Sequence, residues 1–206
     1  MLFANREEAA KLLLPKLEKW RHTDAIVLAI PRGGVPLGYI LSQHFHWPMD
    51  LIMVKKIGMP GQAELAIGAV SPEGEVIDPR YSVNREYLSE EIQRIRLQLD
   101  MRYQALSGRK RNMSLMNKTV VLVDDGIATG NTMIAAIQLA RKKGAQVVVI
   151  ATPVASDDAY QAMKQLADAI ICLTHPSSFM AVGQYYTDFG QVEDEEVLRY
   201  MHLVNP

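Results

Sequence analysis

Hydrophobic positions along the chain fall into two alternating patterns. Asp24-Ala25-Ile26-Val27-Leu28-Ala29-Ile30, Asp50-Leu51-Ile52-Met53-Val54, Val120-Val121-Leu122-Val123, the stretch 146–151 and Ala169-Ile170-Ile171-Cys172-Leu173 are apolar runs without polar alternation, the mark of strands buried on both faces. Between them lie helical segments at 6 to about 20, 35–45, 133–140, 156–166 and 193–201. Asn5 suits the cap of the first, with Ala9, Leu12, Leu13 and Leu17 near one face and Pro15 expected to bend or split it. Residues 64–70 and 74–77 read as a hairpin turning at Ser71-Pro72-Glu73. Asn84 opens a long helix whose Leu88, Ile92, Ile95, Leu99, Tyr103 and Leu106 form one apolar stripe, which suits core or dimer contact. Gly108 and Arg109-Lys110-Arg111 suit its end. Strands alternating with helices predict an α/β fold with a central, mainly parallel sheet flanked by helices.

The length of 206 residues supports one medium domain with a sizeable core, and repeats and obvious linkers are absent. A net charge of −1 gives no reason to expect nucleic acid or an anionic membrane as partner. Cys172 is the single cysteine, so no intramolecular disulfide forms, and its apolar run predicts a buried, inert thiol. Charges at Arg6, Glu7 and Glu8 interrupt any signal-like apolar segment, and no run is long enough to span a bilayer. A soluble, cytoplasmic protein is expected.

Chemistry concentrates in the stretch from Val120 to Thr132. Its apolar strand ends in Asp124-Asp125, followed by Gly126-Ile127-Ala128-Thr129-Gly130-Asn131-Thr132 and a helix. Paired acids at the carboxyl end of a parallel strand stand where α/β sheets place their ligand crevice. The unpaired N–H groups of the following helix start suit a phosphate, helped by Gly130 and the Thr129 and Thr132 hydroxyls. Carboxylates repel phosphate but accept hydrogen bonds from a ribose diol, so the combination points to a sugar phosphate. The alternative is a strand, an Asp-Asp-Gly turn and a capped helix serving structure alone.

This stretch resembles the phosphoribosyl-pyrophosphate (PRPP) motif of type I phosphoribosyltransferases. Neither a P-loop nor a Gly-x-Gly-x-x-Gly pattern is present. The resemblance implies that Asp124 and Asp125 hold the ribose hydroxyls and act in catalysis, and that Ala128, Thr129, Gly130, Asn131 and Thr132 hold the 5-phosphate. Pro31-Arg32-Gly33-Gly34 repeats the strand–loop–helix design upstream and is similar to the family's pyrophosphate loop, with Arg32, Gly33 and Gly34 facing the ligand. By the same analogy a cis peptide is expected between Arg32 and Gly33. Lys55 and Lys56, expected to end the second core strand, reach the pyrophosphate by the same analogy, or form a solvated strand end. The Gly- and Pro-rich stretch 58–64 suits a loop over the site. The long helix at about 84–110 is an insertion where the family carries its shorter catalytic loop.

The resemblance further implies a small hood built from about 175–206 with the N-terminal helix, around a core of about 24–174. Tyr185, Tyr186 and Phe189 are candidates to stack on an acceptor base, with Asp188 reading its edge, or they form the hood's own small core. His175 either lines the site or is structural. The implied activity is transfer of the 5-phosphoribosyl group from PRPP to a nitrogenous base of unassigned identity. Mg2+ would be bound through PRPP rather than by a firm protein ligand, and a homodimer is expected. A PRPP- or nucleotide-binding regulatory protein on the same fold is the alternative, with a nucleotide phosphorylase or hydrolase as a third reading.

Overall fold

In the computed structural model, which describes residues 1–72, 74–108 and 114–204, the apolar runs become parallel strands. They are β1 (Ala25–Ala29), β2 (Met49–Leu51), β6 (Thr119–Val123), β7 (Val147–Val154) and β8 (Ala169–Thr174), in the order β2-β1-β6-β7-β8. Period-two alternation sorts their side chains onto two faces. Val27, Ala29, Val121, Val123, Val149 and Ala151 join one core cluster. Ile26, Leu28, Val120, Leu122, Val148 and Ile150 join the other.

The first face is covered by α1 (Arg6–Leu17), α2 (Gly34–Phe45), α3 (Arg85–Ser107) and α6 (Asp194–Val204). The second is covered by α4 (Asn131–Lys142) and α5 (Asp157–Lys164). The parallel sheet flanked by helices is therefore the fold read from the sequence. Among the described residues, no helix is long and apolar enough to cross a membrane.

Several local expectations change. Helix α1 runs through Pro15 without splitting and tightens into a 3-10 turn at Glu18–Trp20, while Leu12 faces solvent at 40% exposure. Strand β2 ends at Leu51, and Lys55 begins β3 (Lys55–Met59) of a separate antiparallel sheet. That sheet continues through β4 (Gln62–Ser71) and β5 (Gly74–Ile77). Stretch 58–64 is thus mostly strand and a tight turn around Pro60-Gly61, not an open loop.

Helix α3 starts where Asn84 Oδ1 accepts from the Glu86 and Tyr87 N–H groups. It ends at Gly108, whose φ is +68°. Its apolar stripe packs into the molecule's own core: Ile95, Leu99, Tyr103 and Leu106 are buried, with Leu88 and Ile92 against them. The Tyr103 hydroxyl donates to the buried Asp50 carboxylate at 2.7 Å, tying α3 to β2. The run Arg109-Lys110-Arg111 and Glu73 lie outside the described residues.

Candidate functional site

Between β1 and β6 the chain reverses its direction of travel across the sheet. The segment after β1 turns into α2 on one face, and that after β6 turns into α4 on the other. Such a divergence opens a crevice beyond the carboxyl ends of the strands. A cleft of about 680 Å3 lies there, lined by Ile30, Arg32, Gly33, Asp124, Asp125 and Thr132, with Arg6 and Phe189 to Val192 on its far wall. The two loops are packed together: the Ile30 N–H donates to the Val123 carbonyl at 2.9 Å, and a Cβ on Gly34 would lie 2.4 Å from that same oxygen. Only glycine admits this approach.

The paired acids differ in their surroundings. Asp124 Oδ1 accepts from the Asp125 N–H at 2.9 Å. Burial, and next the charge of Asp125, push the Asp124 carboxyl well above the usual carboxylate range. Burial also pushes Asp125 up, while Arg6 pulls against it. Arg6 Nε donates to Asp125 Oδ2 at 2.8 Å, with the two side chains only 14% and 11% exposed. Arg6 Nη1 donates to the Gly190 carbonyl at 2.7 Å, and the guanidinium lies 4.0 Å from the Phe189 ring centre.

Downstream, the phosphate-loop candidates Ala128, Thr129, Asn131 and Thr132 are exposed, and Gly130 takes φ +77° just before α4. The N–H groups of the first helical turn have no partner one turn earlier and point out of the helix start. Ser156 fixes this loop: its hydroxyl donates to the Ala128 carbonyl at 2.6 Å and its N–H to the Ile127 carbonyl at 2.8 Å.

A family model for the phosphoribosyl transferase domain matches residues 2–189. The chain belongs to the phosphoribosyl transferase family. A Mycobacterium tuberculosis protein provisionally named a phosphoribosyl transferase is 36% identical over 205 residues, 97% of this chain. The chain spans only 46% of that protein's length. The crystal structure of TT1426 from Thermus thermophilus is similar at 36% identity with a TM-score of 0.90, covering 98% of both chains. A purine phosphoribosyltransferase from Pyrococcus horikoshii shares the fold at 19% identity and a TM-score of 0.51, covering 91% of this chain and 92% of its own.

Of the residues singled out by the resemblance, the cleft brings together Arg32, Gly33, Asp124, Asp125, Thr132 and Phe189. The non-proline cis peptide joins Pro31 to Arg32, one bond before the expected place. Arg32 reaches the cleft but is held by acids at the start of α6, with Nη1 at 3.3 Å from Asp194 and 3.6 Å from Glu193; Asp194 also pairs with Arg102 of α3. Lys55 and Lys56 do not line the cleft. Lys55 Nζ donates to Gln98 at 3.2 Å, and Lys56 faces a separate cavity between the antiparallel sheet and α4. The sequence run had no turn residue between Asp50 and Lys56, so the change of sheet carried no signal.

The acceptor candidates pack together in the hood, and Phe189 among them also lines the cleft. Tyr186 is buried, donates its hydroxyl to the Asp125 carbonyl at 2.6 Å and packs between Phe3 and Phe189. Phe189 has Tyr186 and Arg6 against it. Tyr185 stacks on Phe179 and donates to the Ser178 carbonyl at 3.2 Å. These rings form a satellite core with Phe3, Ala9 and Val154. The N-terminal segment is stitched to it by Phe3 N–H to the Tyr185 carbonyl and Thr187 N–H to the Phe3 carbonyl, each 2.8 Å. Asp188 accepts from the Gly190 N–H, and His175 stacks on Tyr160 and pairs with Asp157, so neither lines the cleft. Burial pushes the Cys172 thiol up to about 11, which keeps it a thiol at neutral pH. The residues that sequence reasoning missed are Arg6 and Ser156, whereas Gly190 to Val192, which line the cleft, fall within the expected hood.

Proposed function

We propose that this chain is a phosphoribosyltransferase that moves the 5-phosphoribosyl group of PRPP to a nitrogenous base and releases pyrophosphate. The observation that carries the reading is the single cleft shared by Asp124-Asp125, the Arg32-Gly33 loop and Thr132 at the start of α4. Those three parts match the three parts of PRPP: ribose diol, pyrophosphate and 5-phosphate. Asp124 and Asp125 accept the ribose hydroxyl protons as hydrogen bonds, and the Ala128–Thr132 amides and hydroxyls take the 5-phosphate. Arg32 and the Gly33 backbone take the pyrophosphate, whereas Gly34 is buried with its N–H on the Ile30 carbonyl at 3.0 Å.

The anomeric carbon gains positive charge as its bond to the pyrophosphate oxygen breaks, and the acceptor nitrogen closes the new bond. Asp124 lies in the same cleft to stabilise that charge, so this is catalysis by placement and electrostatics rather than a covalent enzyme intermediate. The donor set fits a magnesium ion brought in on the substrate. Asp125 already holds the Arg6 guanidinium, and no cluster of three metal-binding side chains is present among the described residues. When bound, magnesium would neutralise charge on the leaving pyrophosphate. The reading includes a cytoplasmic homodimer.

A second reading is a PRPP- or nucleotide-binding regulator. It is favoured by the packing of Tyr185 and Tyr186 into the hood core, which leaves Phe189 as the one candidate aromatic that lines the cleft, with Arg6 already against its ring. Calorimetric titration of magnesium and PRPP into wild type and Asp125→Asn tests the first step. Saturable binding lost in the variant supports the donor site, and pyrophosphate release on adding purine or pyrimidine bases then supports transfer. Binding without release across that panel favours the regulator, and no binding of PRPP to folded wild type removes the transferase and leaves only a nucleotide-binding regulator, tested by titrating nucleoside monophosphates.

A further inference from the structure

Arg6 has no place in the sequence motifs, and its position is unfavourable for a merely helical residue. It opens α1, where a cation opposes the helix dipole, and the acids Glu7 and Glu8 beside it are what that position ordinarily takes. The side chain is turned inward and largely buried. One guanidinium there meets three groups: the Asp125 carboxylate, the Gly190 carbonyl and the Phe189 ring. The first belongs to the donor side of the cleft and the other two to the hood. We propose that Arg6 is a positioning residue that aims the Asp125 carboxylate at the donor's ribose diol and latches the hood segment Phe189-Gly190 to that same carboxylate.

The Arg6 guanidinium is a rigid, planar fork. It holds its N–H donors in one plane, with Nε and Nη1 aimed at different neighbours, so fixing Nη1 on Gly190 fixes where Nε meets Asp125. Oδ2 is thereby occupied, and Oδ1 is the oxygen that Arg6 does not take, in a side chain that lines the cleft. The groups facing Asp125 are Arg6 from α1, Asp124 from the end of β6, Tyr186 from the hood through the Asp125 carbonyl, and the Gly33 backbone from the loop after β1. Among these described groups Arg6 is the one cation. Its removal leaves Asp125 buried beside another acid, so the carboxylate takes up a proton more readily and loses the charge that attracts a ribose hydroxyl.

This inference rests on the PRPP reading, and the test separates the two. Binding of magnesium and PRPP is measured by calorimetry from pH 5.5 to 8.5 for wild type, Arg6→Gln and Arg6→Lys, with thermal melts to confirm folding. The expected result is binding weakened about tenfold or more in Arg6→Gln. Its loss of binding on the acid side should begin at higher pH than in wild type. Lysine restores the charge but not the fork, so Arg6→Lys should return the wild-type pH dependence while recovering only part of the affinity. A purely structural role would lower the melting temperature without moving the pH dependence. Wild-type affinity and pH dependence in folded Arg6→Gln overturn the inference and leave the donor reading standing. Absence of binding in wild type overturns both.

Discussion

Gly33 backs directly onto the Asp125 carboxylate: a Cβ at position 33 would lie 2.1 Å from Oδ2 and 2.4 Å from Cγ. The glycine of one loop is therefore what allows the acid of the other to occupy its place. Asp125 has no room to yield, because Arg6 grips the same oxygen at 2.8 Å and Tyr186 holds its carbonyl.

Gly33→Ala should accordingly displace Asp125 and destabilise the fold by about 1–3 kcal/mol, the usual cost of overpacking a tight site. PRPP binding should fall further than the loss of stability accounts for, since the displaced group is a proposed ligand. Gly74→Ala is the control, as a Cβ there meets nothing within 4 Å. Chemical denaturation and calorimetry on both variants check this. Equal PRPP affinity in Gly33→Ala and wild type would remove the geometric argument.

What could be read from the sequence depended on how far apart the cooperating residues lie. Asp124 to Thr132 was legible because a buried strand, its terminal acids and the glycine-bearing helix start are contiguous, and local rules govern each. The hood's aromatic contacts were open to two readings, stacking platform or satellite core, and the buried Tyr186 favours the core. Arg6 was not legible at all. It lies 119 residues from Asp125, and a charged residue in a first helical turn ordinarily faces water. Lys55 and Lys56 were misplaced because Ile52, Met53 and Val54 are as apolar as the strand before them, although they connect two sheets.

Tyr186→Phe distinguishes the hood core from an acceptor platform. It keeps the ring between Phe3 and Phe189 and removes only the hydroxyl that donates to the Asp125 carbonyl at 2.6 Å. Burial pushes the phenol pKa up, so the hydroxyl remains a donor throughout the neutral range. Stability should drop by about 1–2 kcal/mol from the buried acceptor left without its donor. PRPP affinity should fall modestly through the Asp125 backbone, and the ranking of acceptor bases should stay the same. A changed ranking with unchanged stability would return Tyr186 to the acceptor site.

Tyr103→Phe probes the attachment of the long helix. Its hydroxyl donates to a carboxylate that is only 2% exposed, and the Leu51 N–H also donates to Asp50 at 2.8 Å. Removing a donor from a buried charged acceptor costs about 1.5–3 kcal/mol. The loss should concentrate in α3, seen as faster amide exchange there while β1 and β6 keep their protection. Uniformly faster exchange across the sheet would mean that α3 and the parallel core unfold as one unit.

Asp124 and Asp125 should answer differently to the same substitution. Asp125→Asn weakens PRPP binding, whereas Asp124→Asn slows turnover and alters the dependence of stability on pH. The native Asp124 carboxyl lies well above its unfolded value of 3.8, because the buried group prefers its proton. Below that unfolded value both states are protonated and the full stability is present. As pH rises through the higher native value, the folded protein must ionise a buried acid and stability declines. Asparagine keeps an oxygen to accept the Asp125 N–H but has no proton to lose. Asp124→Asn should therefore match wild type near pH 3.5 and exceed it at pH 7.5, by a shift in melting temperature of about 2–4 °C for each kcal/mol recovered. Scanning calorimetry across that range checks the sign. A variant no more stable than wild type at pH 7.5 would mean that the folded protein already compensates the Asp124 charge.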